Sequence, residues 1–145
     1  RTFYDALVAI GLTPAKSLTL GPLAIPDEYF SDFFRGCVDG DGSVLVYIDR
    51  YHAAKDERYV YRRLYVSLAS ASRPFIDWMQ TTVMKLIGLR GVIQAHRQKD
   101  RRTMWLLRYA KRESLGILRW MYHGPEVPCL LRKRANAEPF LLGMR

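Results

Sequence analysis

Cysteine, histidine and acidic residues are all scarce in this 145-residue chain, and each shortage closes off a class of function. The two cysteines, Cys37 and Cys129, form no CxxC pair and have no histidine near them at ligand spacing, which argues against a zinc or redox site. Both read as small apolar core residues, and a reducing, intracellular setting (bacterial cytoplasm or an organelle) is expected. No apolar run approaches the ~18 residues that a membrane-spanning helix requires, so no membrane partner is expected. The opening residues, Arg-Thr-Phe-Tyr-Asp, carry no signal-peptide pattern and no Met. Only 14 Asp and Glu stand against 23 Lys and Arg, leaving a net charge of +9 and a pI near 9.8. Such a surplus favours phosphate-rich partners. An anionic membrane would select a basic amphipathic helix, whereas here the basic residues lie mostly on strand-like segments.

What the chain does contain is enough apolar material for a core. Hydrophobic residues make up 49% and charged residues 26%, as expected for an ordered globular domain. Periodicity then divides it. Residues 1–12 read as a short helix ending near Gly11, followed by a turn and an extended piece bounded by Pro14 and Pro22. Pro26-Asp27-Glu28 starts a helix over about 27–39, with Tyr29, Phe30, Phe33, Phe34, Cys37 and Val38 at helical spacing. Strands follow at 43–51 and 59–70, then a helix from Arg73 to about Ile87 that Gly88 ends. A second hairpin spans 91–98 and 103–110, and a third helix covers 112–123. A terminal helix or turn closes the chain. Hairpins alternating with helices imply an α+β fold, with helices covering one face of an antiparallel sheet. Residues 1–26 form an N-terminal helix and arm, and 27–145 the core domain with a basic C-terminal helix.

The uncovered face must meet water or a partner. Two-residue alternation puts Leu64, Val66 and Leu68, with Val44, Val46 and Ile48, against the helices. It turns Ser43, Leu45, Tyr47, Asp49 and Tyr51 outward, together with Tyr59, Tyr61, Arg63, Tyr65 and Ser67. Gln94, His96 and Arg108 join this outer face from the second hairpin, and Lys99, Arg101 and Arg102 occupy its turn. A polar, aromatic, basic sheet can offer hydrogen bonds to base edges and Arg to guanine or phosphate. It is equally the composition of an ordinary solvated sheet face.

The most informative stretch is FFRGCVDGDGSV, residues 33–44, where an apolar helix runs into Asp39-Gly40-Asp41-Gly42 and then a strand. A calcium loop would need Gly where Val44 stands and Glu where Arg50 stands, so that reading fails. A structural reading gives Asp39 to the helix end and the glycines to a tight turn. A catalytic reading makes the carboxylate a hard-oxygen site for Mg²⁺, weak in one subunit and strong if helix pairing joins two. Gly36 and Gly40 are four apart and share one helix face, so a second helix could approach closely there, with Phe33 and Cys37 beside them.

FRGCVDGDG (34–42), followed by a strand, resembles the LAGLIDADG motif of homing endonucleases. The order helix-strand-strand-helix-strand-strand-helix over about 27–136 resembles that family's half-domain with its saddle-shaped sheet. GLTPAKSL, IPDEYFSDFFRGCVDGDGSV and CLLRKRANAE resemble stretches of its bacterial members. Phe34 and Arg35 replace the motif's Leu and Ala, and Cys37 its second Leu. Arg35 is bulky for a packed interface and is expected on the helix's outer side. The resemblance implies Asp41 as metal-binding carboxylate, the Gly40 carbonyl as backbone ligand, and Asp39 as helix cap. It implies Lys133, or alternatively Arg132, as the basic residue near the scissile phosphate. Ser72 matches a polar residue that orders the water shell. The expected function is a site-specific, Mg²⁺-dependent double-stranded DNA endonuclease, with Mn²⁺ as substitute, intron- or intein-associated, cutting a long near-palindromic target across the minor groove. One motif implies a homodimer or half of a longer two-motif chain. The alternatives are an inactive DNA-binding regulator or RNA-splicing maturase on the same scaffold, and a basic structural nucleic-acid binder.

Overall fold

The structure is a computed structural model that describes all residues except Arg1, Ala53, Glu57, Tyr59, Gln98, Asp100 and 143–145. Thr2 and Asp5 exchange side-chain and backbone hydrogen bonds, a capping box that starts α1 (Phe3–Ala9). None of the α1 residues is buried. The segment after it has no regular structure but is fastened down. Leu23 is buried, Ala24 N donates to Ile10 O at 3.0 Å, and the Ser72 hydroxyl donates to Leu20 O.

The expected helix from residue 27 opens as a short 3₁₀ turn, Asp27–Tyr29, before α2 (Phe30–Asp41) takes over. The fixed geometry after Pro26 favours that tighter first turn. Phe30, Phe34 and Val38 repeat at four-residue spacing and are fully buried. Burying each is worth about 1.5–3 kcal/mol. The helix runs two residues further than its periodicity indicates and passes at Gly42 directly into β1 (Gly42–Asp49). A Cβ on Gly42 would lie 2.4 Å from the Ser67 carbonyl oxygen and 2.7 Å from Val38 Cα. The junction therefore has no room for any side chain.

Strands β2 (Tyr61–Ser70), β3 (Val92–His96) and β4 (Met104–Tyr109) complete an antiparallel sheet of order β1-β2-β4-β3. Helix α3 (Arg73–Ile87) starts on the Ser72 cap and stops where Gly88 adopts φ 71°, as the sequence indicates. Helix α4 (Lys111–Met121) and α5 (Leu131–Leu142) follow. The core lies between the inner sheet face (Leu64, Val66, Leu68, Leu107, Tyr109) and helices α2, α3 and α4. Phe30 meets Trp78 edge-on at 5.4 Å, and Phe34 meets Trp120 at 5.6 Å. Helix α5 flanks the free edge of β1, where Asn136 Nδ2 donates to Val44 O at 3.0 Å. No helix among the described residues is long and apolar enough to cross a membrane.

Two inward and outward assignments are corrected. Val44 is buried and Val46 half-buried, but Ile48 is 55% exposed, because β1 is an edge strand whose far end runs beyond the helices. Ser67 belongs to the outer face by register yet is only 9% exposed. It is a short side chain on a central strand, shaded by Ser43 and Arg108 on either side, and its hydroxyl pairs with that of Ser43 at 2.8 Å. Tyr51 falls in the turn beyond β1, and Tyr59 lies outside the described residues.

Candidate active site and nucleic-acid interface

The last turn of α2 separates two carboxylates that the sequence places two residues apart. Asp39 faces its own chain, and its Oδ2 accepts from Leu130 N at 2.9 Å. The other oxygen of Asp39 is buried without a hydrogen-bond partner among the described residues. Asp41 is exposed, as is Gly40 before it. Helical spacing aligns Asp41 with an open strip formed by Phe33, Gly36, Cys37 and Gly40. A Cβ added at Gly36 or Gly40 would meet nothing within 4 Å, so among the described residues nothing fills the space over these two glycines, while Phe33 and Cys37 beside them are half-buried. Burial pushes the Cys37 thiol up to about 12, with the Asp41 charge adding to it, so the thiol stays protonated. Arg35 lies off this strip, as expected, but points inward. It is 5% exposed, paired with Asp32 at 2.7 Å, and donates to the Met121 and Pro128 carbonyls at 2.7 and 2.8 Å.

Lys133 is also buried, 5% exposed, directly behind the acidic end. Its ammonium donates to Val38 O, Asp39 O and Gly42 O at 2.7, 2.8 and 2.7 Å. An ammonium has three donors, and here all three satisfy carbonyls at the negative end of a helix. Burial and the neighbouring Arg132 pull the Lys133 pKa down, while Asp39 and Asp41 pull it up. The expectation that Lys133 faces a phosphate meets a side chain whose donors are already committed inside the chain. Arg132 is exposed on the same helix. Ser72 requires a similar correction. It is 1% exposed, accepts from Phe75 N, and donates to Leu20 O, so its hydroxyl caps α3 and ties down the N-terminal segment rather than facing open water.

Beside Asp41 lies a cavity of about 480 Å³, between the N-terminal segment, the open strip of α2 and the end of β2. Its polar lining comprises Asp41, Lys16, Ser17 and Ser70. The last three were not among the expected site residues. Ser70 sits two positions before the residue chosen, and its Oγ accepts from Ser72 N at 3.1 Å. Lys16 lies in a segment without periodicity, where only the resemblance of GLTPAKSL offered a signal. Among the described residues there is no cluster of three or more His, Cys, Asp or Glu that could hold a metal. A single chain offers one exposed carboxylate, Asp41, and the neighbouring Gly40 carbonyl at the helix end.

The outer sheet face is organised into stacks and pairs. Arg63 Nη2 lies 3.0 Å from Asp49 Oδ2, its Nε donates to the same oxygen at 3.1 Å, and its guanidinium sits 5.6 Å from the Tyr61 ring. The Tyr51 amide and the Arg63 guanidinium hold the Asp49 carboxyl below the usual carboxylate range. Tyr47 and Tyr65 stack with centroids 6.2 Å apart, and Arg108 lies 3.7 Å over the Tyr65 ring. Gln94 and His96 are exposed on β3 at alternating positions with Val92, which pairs with Arg108. Tyr51 is 85% exposed beyond β1, and Arg101 is exposed between β3 and β4. Of the expected reading residues, Ser67 alone is withdrawn from this surface.

No protein-family model and no curated protein matches the chain. Solved structures do match. The homing endonuclease I-TnaI superposes with a TM-score of 0.53 at 20% identity, over 77% of this chain and 69% of that one. The LAGLIDADG homing endonuclease I-LtrWI, bound to target DNA, gives 0.57 at 16% identity, over 81% of this chain and 37% of its own. The homing endonuclease I-CvuI, in complex with a target DNA in the presence of magnesium with the DNA not cleaved, gives 0.51 at 17% identity, over 80% and 66%. This chain has the fold of these homing endonucleases and spans between 37% and 69% of their lengths.

Proposed function

We propose that this chain is a site-specific double-stranded DNA endonuclease that works with two copies of its acidic helix end side by side, as a homodimer or with the second half of a two-motif protein. One observation carries the reading. An exposed carboxylate, Asp41, terminates a helix whose adjoining strip of small residues is open in this chain. A second α2 laid along Gly36 and Gly40 would bring two Asp41 carboxylates and two Gly40 carbonyls together. That is a hard-oxygen donor set suited to Mg²⁺, with Mn²⁺ as substitute, and an ion held there supplies charge neutralisation at phosphate and an acidified water. The chain itself places the carboxylates, through the Lys133 and Asp39 contacts that lock the helix end. It offers DNA a face bearing Tyr47, Arg63, Tyr65, Gln94, His96 and Arg108, with Arg101 at the turn, and a net charge of +9 favours the duplex.

A second reading, DNA binding without cleavage, draws on the internal commitment of Lys133, which leaves Asp41 without the cation assigned to it. One experiment separates the two: incubate the protein with a randomised plasmid library and Mg²⁺, then sequence any cut ends. Recovery of one long target with paired cuts supports the endonuclease. Enrichment of a bound sequence with no cut ends supports the binding-only reading.

A further inference from the structure

We infer that Lys16, in the segment between α1 and α2, is a catalytic residue that contacts the scissile phosphate and supplies the positive charge that Lys133 does not. The inference rests on the endonuclease reading above. Asp41 and Lys16 line the same cavity, and among the described residues Lys16 is the only Lys or Arg that does so. Its ammonium has no hydrogen-bond or ion-pair partner among the described residues, while the Lys133 ammonium has three carbonyl partners. Arg132 does not line this cavity.

The backbone that carries Lys16 is fixed by several contacts. The Lys16 carbonyl accepts from Thr19 N at 3.0 Å and Leu20 N at 2.8 Å, closing a turn. The next carbonyl held from outside is that of Leu20, which accepts from the Ser72 hydroxyl. Ser72 is itself fixed as the cap of α3. Leu23, 7% exposed, anchors the segment beyond that. Ser72 therefore serves the site through Lys16: it pins the loop that presents the lysine next to the end of β2. An unpaired ammonium on a pinned turn beside an exposed carboxylate has no folding role in sight. It can meet a phosphate that approaches Asp41.

Hydrolysis forms one P–O bond to the water oxygen and breaks the P–O bond to the leaving sugar oxygen. The water gives up a proton and the leaving oxygen gains one. Lys16 keeps its own protons throughout and stabilises the negative charge that builds on the non-bridging oxygens. Loss of one such donor costs on the order of 10²-fold in the chemical step.

The test uses the full chain and its selected target with Mg²⁺. Single-turnover cleavage of bound DNA, binding affinity and thermal melting are measured for wild type, Lys16→Met, Lys16→Arg and Asp41→Asn. The expected result is that Lys16→Met cuts about 10²-fold more slowly with unchanged melting, and that Lys16→Arg recovers most of the rate. Cutting by Lys16→Met at the wild-type single-turnover rate, with only affinity reduced, overturns the assignment and makes Lys16 an ordinary backbone contact. An equal loss in Lys16→Arg also overturns it, because the charge would then be immaterial. Asp41→Asn separates this proposal from the one beneath it. Wild type cutting while Asp41→Asn does not leaves the endonuclease reading standing whichever way Lys16 falls. A wild type that cuts no library sequence removes both.

Discussion

The two faces of α2 are built on opposite rules. One carries Phe30, Phe34 and Val38, fully buried against the sheet and the Trp78 and Trp120 rings. The other carries Phe33, Gly36, Cys37 and Gly40, half-buried or exposed, with open space where Gly36 and Gly40 would hold a side chain. The carboxylates divide in the same way: Asp39 is spent on Leu130 and Asp41 is left outward. A helix that only had to fold would gain from Ala or Leu at the two glycines, since Gly costs about 0.8–1.0 kcal/mol relative to Ala in a helix interior. The contrast teaches that only the closed face contributes to stability in this chain, while the open face is free to take a partner as proposed, so that each can be disturbed without the other.

The sharpest break comes at the helix end. Asp41→Asn removes a charge but almost no volume from an exposed position, so folding and DNA affinity should survive while cleavage falls below detection. Cleavage by the variant at the wild-type rate would show that Asp41 has no part in the chemistry. The closed face breaks differently. Phe34→Ala should lower stability by about 3–5 kcal/mol, the usual cost of emptying a large aromatic site, and denaturant unfolding would record it.

The open face should answer in the reverse sense. Gly36→Leu has room in the isolated chain and improves helix propensity by several tenths of a kcal/mol, so melting should hold or rise. The added side chain would nevertheless hold two helices apart. Sedimentation should show a paired wild type becoming monomeric, and cleavage should be lost with it. A Gly36→Leu protein that still pairs and cuts would mean that the strip is not the contact. Lys133→Met belongs with the closed face, since it removes a donor from each of three carbonyls at the helix end, of which Val38 O keeps the Gly42 amide. Its loss should cost roughly 1–3 kcal/mol, the range for leaving buried polar groups unsatisfied.

Local signals were legible in the sequence and distant ones were not. The bounds of helix α3 were legible because Gly88 is punctuation that acts within a turn of itself, whereas the capping role of Ser72 was not. The inner face of β2 followed from strict alternation of Leu64, Val66 and Leu68. The motif and the strand order together carried the architecture. Lys133 was legible as a basic residue after the last core helix, but its partners lie 91 to 95 residues away, and no period or spacing encodes such a contact. The shading of Ser67 depends on what its two neighbouring strands place beside it. The place of Lys16 on the cavity that Asp41 also lines had no signal in the sequence, because its segment has no regular structure and is held by a distant contact, the Ser72 hydroxyl on the Leu20 carbonyl.

The smallest expected effect separates base reading from plain charge attraction on the outer sheet face. Arg63 sits there between Tyr61 and Tyr65, and two of its nitrogens are held by one oxygen of Asp49. Its remaining donors are thereby aimed rather than free to wander. A guanidinium held in this way can make two hydrogen bonds to a guanine edge, worth about 1–3 kcal/mol of discrimination. Arg63→Ala should relax preference at one position of each half-site. Asp49→Asn should blunt the same position less, because the arginine stays but loses its brace. Arg101, exposed in a turn, should act on phosphate alone. Its replacement by Ala should weaken all sequences equally and reduce the salt dependence by about one unit of slope. The Asp49 carboxyl titrates below its ordinary value in the folded protein, so the brace is present above that ordinary value of about 3.9 and is lost only as pH falls through the depressed one. The base preference at the Arg63 position should therefore be flat from about pH 6 to 8. Binding profiles on a library of single-base variants, at two salt concentrations and two pH values, would check all of this. If Arg63→Ala lowers every affinity by the same factor and leaves the base profile unchanged, Arg63 reads no base and the Asp49 brace serves only the hairpin.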